Sequence, residues 1–115
     1  MDTLITSSPI TLRWIDEIKS KIKRKIPLLI YGESKYWASF RNPETGRNFV
    51  YLQPQKSQIR LFTRLDLSFE NSLQPTPSSS GYVKMYPSVF LIRSENSIDK
   101  AVDMIISSYE EDLHK

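Results

Sequence analysis

Leu12, Ile15, Ile18, Ile22 and Ile26 recur at three- and four-residue steps and form one apolar stripe of a helix. Ser8 followed by Pro9 predicts its start: a side-chain cap, then proline at a position whose N–H would have no helical partner. Pro27 predicts its end. Glu17 and Lys21 stand four apart in the favourable order on the wet side, and Lys23, Arg24 and Lys25 complement the carbonyl end of the helix dipole. With Lys19, these lysines and Arg24 make the densest basic run of the chain. Read functionally it is a phosphate patch; helical spacing scatters the cations around the axis, which favours a solvated face.

The pattern then changes to a period of two. Leu28 to Tyr31 reads as a short extended or helical piece, punctuated by Gly32. Tyr36, Ala38 and Phe40 alternate with Trp37, Ser39 and Arg41, which predicts a strand over 35–41. The turn NPETG leads to a second strand over 47–53, and PQKS to a third over 58–65, giving an antiparallel meander. Residues 66–81 form a long connection rich in serine and proline. Residues 82–93 return to strand, with Pro87 marking an edge, a bulge or a break. Asn96 or Ser97 opens a last helix whose apolar face is Ile98, Ala101, Val102, Ile105, Tyr109 and Leu113, widened by Ile106. The order α-β-β-β-(loop)-β-α predicts one α+β domain over residues 1–115. It has an antiparallel sheet of about four to five strands, with the helices expected on one face.

Composition narrows the function classes. Hydrophobic residues at 39% and charged residues at 25% read as a globular chain. Cysteine is absent, which excludes disulfides and thiolate metal sites and permits a reducing compartment. No run approaches the roughly 18 apolar residues of a membrane span, and the N-terminus lacks the basic start of a signal peptide. The expectation is a soluble, cytoplasmic protein with no membrane partner. The net charge of +3 is uneven: residues 1–94 carry 14 Lys/Arg against 7 Asp/Glu, and residues 95–115 carry 2 against 6. A basic body attracts polyanions; alternatively, the acidic segment packs against it.

The stretch GRNFVYLQPQKSQIRLFTRL carries the candidate chemistry. On the third strand Ile59, Leu61, Thr63 and Leu65 share the core face, and Arg60, Phe62 and Arg64 share the other. A basic-aromatic-basic row can hold a phosphate backbone and stack a base. Trp37 and Arg41 extend it, and either Phe49 or the Val50/Leu52 pair faces the same way. The candidate nucleic-acid-binding residues are Arg41, Arg47, Lys56, Arg60, Phe62 and Arg64. The other reading puts Phe62 and Trp37 beneath a helix or the long loop, with arginine stems over them.

Catalytic patterns are missing. His114, the one histidine, has no partner for a metal, and three glycines leave no phosphate loop. Ser78 to Ser80 lack a histidine base, Glu33-Ser34-Lys35 has no upstream acid, and Asp99 with Asp103 reads as a solvated face. No enzyme, metal or cofactor is expected. Asn48-Phe49-Val50, Pro54-Gln55-Lys56, Arg60-Leu61 and the helix segment Ile105 to Tyr109 resemble a small domain of unknown function. That domain closes proteins labelled "predicted transport protein". The layout is similar, more distantly, to MmcQ/YjbR-like proteins, for which a double wing of hairpins has been proposed to bind DNA. The loop QPTPSSSGYVKMYPS departs from the first family's acidic segment. The resemblance implies the fold and a binding role. A non-enzymatic binding module that touches nucleic acid is therefore expected; the alternative is a protein-interaction or homodimerisation domain anchored by Trp37 and Phe62.

Overall fold

The computed structural model describes residues 4–77 and 85–114. Helix α1 spans Pro9–Lys25. Its cap is reciprocal: Ser8 Oγ accepts from the Thr11 N–H, and Thr11 Oγ1 accepts from the Ser8 N–H at 2.9 Å. Ile15, Ile18 and Ile22 are buried as the spacing predicts, each contributing roughly 1.5–3 kcal/mol. Leu12 is 40% exposed, however, and Trp14 takes its place in the core. The buried stripe thus runs Thr11, Trp14, Ile15, Ile18, Ile22, one position away from Leu12 at its start.

Among the described residues, six strands form one antiparallel sheet in the order β1-β2-β3-β4-β6-β5. They are β1 Ile30–Glu33, β2 Ala38–Arg41, β3 Asn48–Pro54, β4 Ile59–Thr63, β5 Gln74–Pro75 and β6 Ser88–Ile92. The expected meander is β2-β3-β4. The sheet exceeds the expected four to five strands because two short edge strands join it. β1 passes through Gly32 rather than stopping there, and β5 lies in the connection read as irregular. Pro87 immediately precedes β6, and the expected strand start at 82–84 lies outside the described residues. Gly46 closes the 42–46 turn at φ +73°, a conformation that favours glycine.

Helix α2, Ile98–Leu113, follows a 3₁₀ turn over Glu95–Ser97. Ser97 precedes it, but its side chain makes no capping hydrogen bond. Both helices pack on one face of the sheet, over Ala38, Phe40, Val50, Leu52, Ile59, Leu61, Phe90 and Ile92. The face of α2 differs from the expected one at its end. Leu113 is 40% exposed, while Ser108 and Asp112 are fully buried.

The basic run of α1 is dispersed. Lys21 pairs with Asp99 of α2 at 2.6 Å and with Glu17 at 3.6 Å, and Lys19 lies over the Tyr31 ring at 4.1 Å. Asp99 and Asp112 of the acidic segment both meet basic residues of the body, which accounts for part of the charge asymmetry.

Candidate nucleic-acid interface

Pairing sets which residues share the sheet face that, among the described residues, carries no helix. One cross-strand row runs Gly32, Ser39, Tyr51, Phe62, Val89, Gln74, and the next runs Gln53, Arg60, Leu91. Arg41 lies two residues beyond Ser39, on the opposite side of the first row from Arg60. Ile30 of β1 pairs with Arg41. No carboxylate stands at any of these positions.

The register corrects one expectation. Neither Phe49 nor the Val50/Leu52 pair faces this side; all three are buried in the main core, and Phe49 meets Tyr109 at 5.4 Å. The reason is an irregularity between β2 and β3, where Phe40 pairs with Val50 but Arg41 pairs with Asn48. The extra residue turns Phe49 inward beside Val50. Tyr51 takes the outward position, which the period of two assigns once Val50 and Leu52 are known to point in.

Aromatic rings form a satellite core here. Trp37 meets Phe62 at 5.4 Å and Tyr51 at 5.8 Å, and Tyr51 meets Tyr86 at 5.2 Å, all edge to face. Phe62 is 3% exposed and Tyr86 2%, whereas Trp37 and Tyr51 are half-buried. Phe62 is therefore the base of the cluster and offers no face to a ligand. Tyr86, on the far side of the long connection, takes part in covering it. Burial, acting against the charge of Arg64, pushes the Tyr86 phenol up to about 12, so the group is neutral, and its hydroxyl donates to Asn48 O at 2.7 Å.

The six candidate residues divide into three groups. Arg60 and Phe62 stand together, with the guanidinium 5.2 Å from the ring centroid and held by Gln53 Oε1 at 3.1 Å. Arg41 is exposed on the same face. Lys56 sits in the β3–β4 turn, away from the aromatic row. Arg47 and Arg64 converge instead on Asp112 at the end of α2. Arg47 Nε donates to Asp112 Oδ1 at 2.9 Å, and Arg47 Nη2 donates to the Asp112 carbonyl at 2.9 Å. Arg64 Nε lies 3.6 Å from the same Oδ1, an ion-pair distance without a hydrogen bond, and Arg64 Nη2 donates to Asn48 O at 2.9 Å. With its side chain 6% exposed, Arg64 is a structural cation and not a surface one.

The Asp112 cluster was not apparent from the sequence, which offered only that the acidic C-terminal segment packs against the basic body. Asn42 and Thr45 also donate to Asp112 Oδ2, at 3.1 and 2.6 Å. Burial acts to raise this carboxyl, but hydrogen bonds from Thr45 and Arg47 and the charges of Arg47 and Arg64 outweigh it. They hold it below the usual carboxylate range.

Among the described residues no group of three His, Asp or Glu is placed to hold a metal ion, and no helix is long and apolar enough to cross a membrane. No family model matches the chain, and no curated protein or solved structure matches it either, so its functional reading rests on its own geometry.

Proposed function

We propose that the chain is a non-enzymatic module that binds single-stranded nucleic acid on the helix-free face of its sheet. The observation that supports this is the make-up of that face: half-exposed Trp37 and Tyr51 between Arg41 and Arg60, with no carboxylate at the paired strand positions that share it, since Glu33 of β1 pairs with Ala38 on the other side. Aromatic faces stack bases of any sequence, and flanking arginines meet the phosphates. A double helix fits this reading less well, because its bases are already stacked. The absence of cysteine suits a reducing cytoplasm as the location.

The test is a fluorescence-polarisation titration with labelled single- and double-stranded oligonucleotides at low and near-physiological salt. The proposal expects preference for single strands and an affinity that falls steeply with salt. Absence of binding at low salt would end it.

A second reading has its own observation. β1 is an edge strand, and Leu28 just before it and Ile30 at its start are 78% and 51% exposed, as suits pairing between two copies. Sedimentation velocity of the wild type against Ile30→Lys tests it: a concentration-dependent dimer lost in the variant supports pairing, and a monomer throughout refutes it.

A further inference from the structure

The start of α1, the β3–β4 turn and the segment after β6 border an open surface cavity of about 540 Å³, within the range of small-molecule sites. Its lining is chemically divided. Ile10 and Trp14 of α1 supply apolar surface, Lys56 and Arg93 supply two cations, and Ser57 and Glu95 complete the polar rim.

Three observations point to a ligand. First, Trp14 is 4% exposed and its buried Nε1–H has no acceptor among the described residues. A buried donor left without a partner is uncommon, because its lost hydration is not replaced. Second, neither Lys56 nor Arg93 has an ion-pair partner among the described residues, although Glu95 lines the same cavity. Arg93 is nevertheless positioned, since its Nε donates to Gln58 Oε1 at 3.2 Å. Third, the walls are tied together without any ligand. Ser8 Oγ donates to Lys56 O at 2.6 Å, Thr6 Oγ1 donates to Pro54 O, and the Gln55 N–H closes the turn on Gln58 O at 2.8 Å. Ile10, 45% exposed, remains an apolar surface beside the cations.

We propose that this cavity binds a small aromatic anion, a carboxylate or phosphate carried on a ring. The anionic group lies between Lys56 and Arg93, the ring lies on Ile10 and the edge of Trp14, and a small outward turn of the indole lets an acceptor atom of the ligand satisfy its N–H. Two cations against one acid leave the lining net positive, which sets the sign of the ligand, and the apolar wall sets the need for a ring. Lys56 thereby belongs to this site and not to the aromatic row of the sheet. The inference does not depend on the nucleic-acid reading.

The two tryptophans make the test direct. The indole N–H resonances of ¹⁵N-labelled protein are assigned with Trp14→Phe, and phenylacetate and phenyl phosphate are titrated in. Inorganic phosphate and benzyl alcohol supply the anion alone and the ring alone. The expected result is a saturable shift of the Trp14 resonance with at least one aromatic anion, with Trp37 on the sheet face unmoved. Lys56→Ala and Arg93→Ala should each raise the dissociation constant about tenfold. Both residues lie outside the core, and an otherwise unchanged spectrum verifies the fold of each variant. No saturable shift with either aromatic anion would overturn the proposal. So would a shift that survives the double substitution, or one that inorganic phosphate alone reproduces in full.

Discussion

Arg47 Nε donates to Asp112 Oδ1 at 2.9 Å across 65 residues of sequence, joining the β2–β3 turn to the last turn of the C-terminal helix. Asp112 is fully buried, and Arg64 nearly so, which makes this cluster an electrostatic lock on the end of α2. Removing the carboxylate leaves the Arg64 charge buried without its counter-ion. Asp112→Ala should therefore cost about 3–5 kcal/mol, read as a lower midpoint in urea unfolding. A loss below about 1 kcal/mol would mean that Arg64 finds water or another partner.

The same carboxylate gives a pH signature. Its folded pKa lies below the ordinary value of about 3.9, so the folded state binds protons less readily than the unfolded one. The stabilisation is full above the unfolded pKa and is lost as pH falls through the folded one. Urea midpoints of the wild type should fall below about pH 4, and in Asp112→Asn that part of the fall should be missing. A parallel decline in both proteins would assign the acid sensitivity to other carboxylates.

Ser108 ties the same helix to the sheet from inside. Its Oγ accepts from the Arg64 N–H at 3.0 Å and donates to Phe49 O at 2.8 Å, fully buried. Ser108→Ala would leave both backbone groups unpaired at little change in volume, a loss of about 1–3 kcal/mol. Chemical denaturation measures it, and an unchanged midpoint would show that the two groups find replacements.

On the sheet face, surface and structural arginines should behave differently. Arg41→Ala with Arg60→Ala should weaken single-strand binding for every sequence. It should also reduce the slope of log affinity against log salt by about 1.4, at roughly 0.7 per lost contact. Arg64→Ala should lower stability instead, because its guanidinium is occupied by Asn48 O and Asp112. Equal effects of the surface pair and of Arg64 on binding, at equal stability, would refute this division.

Gly46→Ala tests the turn that presents Arg47. At φ +73° a side chain is strained even though a Cβ would meet nothing within 4 Å. The expected cost is about 1 kcal/mol, seen as a small drop in midpoint, and stabilisation would contradict the left-handed assignment.

Much of the fold was legible because its determinants are local. The Ser8-Pro9 cap, the isoleucines of α1, the 42–46 turn and the alternation over 59–63, where the strand ends two residues short of the expected Leu65, each act within a few residues. Strand pairing is non-local. Neither the inward turn of Phe49 nor the added edge strands β1 and β5 can be read from one segment, since each depends on what the neighbouring strand presents. The candidate residues follow the same division. The sequence by itself determined that Arg60 and Phe62 share a face, because alternation along a strand is a covalent consequence of its geometry. Only the tertiary structure decided that Phe62 is covered by Trp37, Tyr51 and Tyr86, and that Arg47 and Arg64 meet Asp112. Burial and charge pairing depend on residues tens of positions away, and the chain's own periodicity carries no record of them.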